Sequence, residues 1–94
     1  MPETTRLSAD EISERLSALP GWRVDDDKLA RDFSFGDFMG GVDFVSRVAR
    51  VAEAEGHHPD LFVTWGRVTV QLTTHSAGGL TATDFKLASL IDRL

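Results

Sequence analysis

The chain has 94 residues, enough for one compact core and too few for two, since a fold of this size buries roughly 60–70% of the surface its unfolded chain exposes. Hydrophobic residues at 41% and charged residues at 27% exclude a largely disordered chain, and no apolar run nears the ~20 residues that a membrane span needs. With 10 Lys+Arg against 15 Asp+Glu the net charge is -5, which argues against a wide phosphate-neutralising surface, and the lack of cysteine removes disulfides, thiolate metal sites and thiol catalysis.

These features point to a small, weakly charged ligand rather than nucleic acid or membrane. The opening Met1-Pro2-Glu3-Thr4-Thr5-Arg6 has no apolar signal core, so a cytoplasmic location is expected. No linker, repeat or low-complexity tract divides the chain. One domain over 1–94 is expected, with 1–6 disordered.

Ser8 followed three residues later by Glu11 is a capping-box pair, and Leu7 and Ile12 stand where a hydrophobic staple packs, so a helix begins near Ala9. Ile12, Leu16 and Leu19 share one face, and Pro20-Gly21 stops the run. Strands are predicted over Trp22 to Val24 and Lys28 to Phe35. In the second, Leu29, Arg31, Phe33 and Phe35 alternate with Ala30, Asp32 and Ser34, and Arg31 interrupts the apolar side.

A long helix from about Asp37 to Glu55 carries Phe38, Val42, Val45, Ala49 and Ala52 as its stripe, with Phe44 and Val51 flanking it. Gly40-Gly41 weakens that helix by about 1 kcal/mol per exposed glycine, or permits close packing. Leu61 to His75 reads as a hairpin turned by Gly66-Arg67, the order a type II′ turn accepts. Trp65 then pairs with Val68, Val63 with Val70 and Leu61 with Leu72, all on one face. After Gly78-Gly79, Thr81 caps a last helix whose stripe is Leu87, Leu90, Ile91 and Leu94. Phe85 lies on the opposite side and is a candidate oligomer contact.

The element order is therefore αββαββα. It predicts an α+β two-layer domain, a four-stranded antiparallel sheet covered on one face by three helices.

All three histidines lie between 57 and 75. His57-His58-Pro59 ends the second long helix, because proline disfavours helical geometry at the residue before it, and His75 ends the last strand. A helix end and a strand end at one edge would gather three imidazoles, the side chains best matched to moving protons near neutral pH. A zinc site is the rival reading, but adjacent His57 and His58 point apart and chelate one ion poorly. Glu53 lies one helical turn before His57, where it can fix a histidine tautomer or remain a solvated helix residue. Asp84, three residues after Thr81, can complete a cap. Thr73-Thr74-His75-Ser76 offers hydroxyls and backbone groups suited to a flat heterocycle.

Three segments together carry a resemblance. Glu53-Ala54-Glu55-Gly56-His57-His58-Pro59, then Val68-Thr69-Val70-Gln71-Leu72-Thr73-Thr74-His75, then Gly79-Leu80-Thr81 and Asp84 with Leu87-Ala88 resemble the pterin-4a-carbinolamine dehydratase family, over about Leu7 to Leu94. The resemblance implies the same helix-covered sheet, a homodimer or homotetramer, and no metal or organic cofactor. It implies dehydration of 4a-hydroxytetrahydropterin to quinonoid dihydropterin, the tetrahydrobiopterin recycling step after aromatic amino-acid hydroxylation. His57, His58 and His75 would then be the catalytic residues, with His57 and His75 the acid/base pair and His58 orienting the substrate. Glu53, Gly56, Thr73, Thr74, Ser76 and Asp84 would form the substrate-binding set.

Three positions depart from the family's usual pattern. Leu61 stands where tryptophan is frequent, Trp65 where tyrosine is, and Thr83 where a basic residue is. The resemblance also leaves open a non-catalytic role, as an interaction module or dimerisation cofactor of a transcription factor, or as a pterin binder without turnover. A scaffold alone has no need of three histidines.

Overall fold

A computed structural model describes residues 5–94. The elements are α1 (Ala9–Leu16), β1 (Arg23–Asp25), β2 (Lys28–Ser34), α2 (Phe38–Glu55), β3 (Asp60–Thr64), β4 (Arg67–Leu72), a 3₁₀ turn (His75–Ala77) and α3 (Ala82–Ile91). The strands form one antiparallel sheet in the order β1-β2-β4-β3, so the expected αββαββα order and α+β class hold. Of the stretch 1–6 expected to be disordered, residues 1–4 lie outside the described residues. At Leu7 the backbone N–H donates to Leu80 O at 2.8 Å.

Local signals set the element ends. The Ser8–Glu11 capping box forms, with both reciprocal bonds present, and Leu7 is buried with Ile12 packed against the core. Asp37 caps α2 by accepting from Gly40 N at 2.7 Å. The β1–β2 turn holds Asp26 and Asp27 at φ 50 and 61, a two-residue left-handed turn whose twist suits a tight hairpin.

The helix-facing side of the sheet presents Leu29, Val68, Val70 and Leu72, none of them exposed, and Phe44, Val48, Ala52, Phe85, Leu87, Ala88 and Ile91 of α2 and α3 close over them. Each of these side chains larger than alanine contributes about 1.5–3 kcal/mol by leaving water. The other face carries Asp32, Phe62, Thr69 and Gln71. Gly41 allows α2 to approach β4, since a Cβ there would sit 3.2 Å from Val68 Cγ2.

Three expectations are corrected. The buried line of α2 is Gly41, Phe44, Val48 and Ala52; Phe38 and Ala49 are exposed, and Phe44 is core rather than a flanking contact. In α3 the core takes Phe85, 5% exposed, while Leu94 at the end is left out. Phe85 is therefore not a free oligomer contact. Both helices have apolar residues around more than one face, and the elements packed on them decide which face is covered.

The β3–β4 register is the third correction. Thr64 pairs with Arg67, Val63 with Val68 and Leu61 with Val70, two residues away from the expected pairing. A two-residue slip keeps every side chain on its face, so Val68, Val70 and Leu72 are core as expected and Leu61 packs half-buried against them, but Val63 is 39% exposed and falls outside the core expected for it. Trp65, however, moves into the turn and is 68% exposed. The turn is Trp65-Gly66, held by Phe35 N donating to Gly66 O at 2.9 Å, and neither turn residue has positive φ, which excludes type II′ geometry.

Candidate active site

Gly56 adopts φ 66, ψ 26, the left-handed conformation that ends a helix with little cost only at glycine. This reversal lets His57 N donate to Ala52 O at 3.1 Å. His57 is thereby carried off the helix axis towards the start of α3.

There its Nε2 lies 2.5 Å from Asp84 Oδ1. Asp84 is fully buried, and both of its carboxylate oxygens are hydrogen-bonded. Oδ2 accepts from Thr74 Oγ1 at 2.8 Å and from Thr81 N at 2.9 Å, and Thr74 Oγ1 lies 2.9 Å from Thr81 Oγ1. A buried carboxylate without such partners would cost several kcal/mol. Three chain segments are joined through this one side chain: the end of α2, the strand exit after β4 and the N-terminus of α3. The ion pair Lys86 to Glu55, at 3.1 Å, joins α3 to α2 nearby.

The remaining candidates sit around this network. His58 Nε2 meets Glu53 Oε2 at 2.9 Å, with both side chains largely exposed. His57 and His58 therefore turn to different carboxylates. Beyond β4, Thr74 and Gly79 pair across the loop, with Thr74 N donating to Gly79 O at 3.2 Å. His75 and Ser76 are exposed on the short turn between them. His75 is thus three residues past the strand, not at its last residue. Thr73 is half-buried, with its hydroxyl 3.5 Å from Asp27 O. The 15% exposure of the His57 side chain leaves a ring edge accessible beside the buried carboxylate.

Thr81 also belongs to this network, although from the sequence it reads only as a helix cap. Its cap spacing to Asp84 was legible, but its hydroxyl contact with Thr74 crosses seven residues and a loop. A groove lined by Arg15, Ala18, Leu19, Ala82, Phe85, Lys86 and Ser89 lies between α1 and α3. It offers two cations and neither a histidine nor a carboxylate.

The pterin 4 alpha carbinolamine dehydratase family model matches residues 5–94, and the chain belongs to that family. A Thermosynechococcus vestitus protein provisionally named pterin-4-alpha-carbinolamine dehydratase is 49% identical over 89 residues, covering 95% of this chain and 94% of the relative. A similarly named Roseiflexus protein is 49% identical over 90 residues, covering 96% and 97%. A crystal structure from Brucella melitensis, described as a transcriptional coactivator/pterin dehydratase, superposes with a TM-score of 0.89 at 38% identity, covering 95% and 97%. A pterin dehydratase-like protein described as a RuBisCO assembly factor in the alpha-carboxysome shares the fold, with a TM-score of 0.65 at 22% identity, covering 78% and 87%.

Proposed function

We propose that this chain dehydrates a 4a-hydroxytetrahydropterin to the quinonoid dihydropterin. The C4a–O bond breaks, the hydroxyl leaves as water after taking a proton, N5 loses its proton, and the C4a–N5 double bond forms. One imidazole donates and another accepts, and His57 and His75 fill these roles, with His58 orienting the ring. Glu53 supports His58, and Asp84 supports His57. Gly56, Thr73 and Ser76 border the substrate, and buried Thr74 supports the site through Asp84. The observation that carries this reading is the contact between partly exposed His57 and buried Asp84, an arrangement that orients an imidazole for proton transfer. The test is a dehydration assay on purified protein with the carbinolamine generated in situ; a rate no faster than the uncatalysed reaction would reject it.

The protein acts on this reading as a homodimer or homotetramer in the cytoplasm. Phe62, Trp65, Phe38 and Met39 are 52%, 68%, 46% and 65% exposed, an apolar load that a second copy would cover. Trp65 stands in the turn whose Gly66 O accepts from Phe35 N, beside the start of α2 that carries Phe38 and Met39.

A further inference from the structure

We propose that Thr74 is a positioning residue, whose buried hydroxyl holds Asp84 so that His57 is kept as the Nε2–H tautomer with Nδ1 the nitrogen that exchanges protons with the ligand. The proposal deepens the dehydratase reading above and rests on it only for its kinetic part.

The directions of the hydrogen bonds follow from counting protons. Thr74 Oγ1 carries one hydrogen and has two neighbours, Asp84 Oδ2 at 2.8 Å and Thr81 Oγ1 at 2.9 Å. A carboxylate oxygen only accepts, so the Thr74 hydrogen goes to Asp84. The Thr81 hydroxyl then donates to Thr74. The result is a directed chain, Thr81 O–H to Thr74 O–H to Asp84 Oδ2, in which each bond polarises the next. Thr81 N–H adds a second donor to the same oxygen.

With Oδ2 occupied by two donors, the carboxylate turns Oδ1 to His57 Nε2. A carboxylate oxygen only accepts, so the hydrogen between them sits on Nε2. Nδ1 is left as the acceptor, and the carboxylate behind the ring stabilises the imidazolium formed when Nδ1 takes a proton. His57 is then the base that removes the ring-nitrogen proton, and the hydroxyl-protonating acid is His75. Thr74 is 7% exposed, and the hydroxyl of this residue is used inside the protein. Its effect on a ligand therefore passes through Asp84 and His57.

The experiment uses the full chain labelled with ¹⁵N in its histidine rings and reads the His57 tautomer by long-range proton–nitrogen correlation at mildly alkaline pH. Wild type and Thr74→Ser should show Nε2–H; Thr74→Val should show a mixture of tautomers in a chain that remains folded by circular dichroism. In dehydration assays Thr74→Val should lower kcat by roughly 10- to 100-fold with little change in KM, and Thr74→Ser should restore most of it. A wild-type Nδ1–H tautomer overturns the proposal and needs no variant to be seen. A folded Thr74→Val with unchanged tautomer and kcat overturns it as well. A wild type without dehydration activity, whose Nε2–H tautomer is lost in Thr74→Val, would refute the dehydratase reading and uphold the positioning role.

Discussion

The indole of Trp22 donates from Nε1 to both carboxylate oxygens of Asp92, at 2.9 and 3.0 Å, across 70 residues of sequence. Arg31 reaches the same carboxylate at 2.8 Å while its guanidinium lies 4.6 Å from the Phe33 ring centroid. The arginine that interrupts the apolar side of β2 is thus accommodated by the end of α3. Trp22 is 5% exposed, so water cannot readily replace Asp92. Asp92→Ala should destabilise the fold by about 1–3 kcal/mol, the cost of leaving a buried donor unpaired. Urea unfolding midpoints measure this, and an unchanged midpoint would show that the clasp adds nothing.

His57→Ala and His75→Ala should each reduce dehydration by ~10²- to 10⁴-fold, the usual worth of a placed proton-transfer group. The His75 change should leave stability nearly untouched, because that residue is exposed. Near-normal turnover in a folded double variant would remove both residues from the mechanism.

Asp84→Ala should be among the most damaging single changes, at about 3 kcal/mol or more, since it strands the Thr74 hydroxyl, the Thr81 N–H and the His57 ring together. Thermal unfolding followed by circular dichroism reads the effect. A loss comparable to an exposed helix substitution would mean that water takes over these donors.

Asp32 provides a pH-dependent contribution on the open face of the sheet. The Thr69 hydroxyl, 2.6 Å from one oxygen, and then Arg23, 3.3 Å from the other, hold its carboxyl below the usual value of 3.8. A depressed folded value means that the stabilisation is complete above 3.8 and is lost as pH falls through the lower folded value. The stability gap between wild type and Asp32→Asn should therefore be constant near neutral pH and shrink in acid. Unfolding curves at stepped pH test it; a gap that persists into strong acid contradicts the assignment.

Sedimentation at micromolar concentration should show a dimer or tetramer. Trp65→Ser with Phe62→Ser should weaken the assembly, whereas Phe85→Ser should destabilise the single chain instead, because Phe85 is core. A monomeric wild type would refute self-association, and an oligomer untouched by the Trp65 and Phe62 changes would place its contact elsewhere.

The element order and most element ends are legible in the residues alone, because those signals act over a few residues of backbone. The Ser8–Glu11 box, the proline and glycine stops and Asp37 each satisfy or block hydrogen bonds next to them. The clustering of His57, His58 and His75 and the segments that carry the family resemblance were equally legible. Tertiary structure alone decided which apolar line of α2 is buried, since Phe38, Val42 and Val45 form a stripe as regular as Gly41, Phe44 and Val48, and only packing against β4 selects between them. It decided that Phe85 faces inward and that Trp65 sits in a turn, because register follows from pairing with β2 and β4 and from the Phe35 bond to Gly66. It also turned the Thr74 hydroxyl inward to Asp84. A hydroxyl goes where its hydrogen bond is satisfied, and the acceptor that satisfies this one stands on another element, ten residues away.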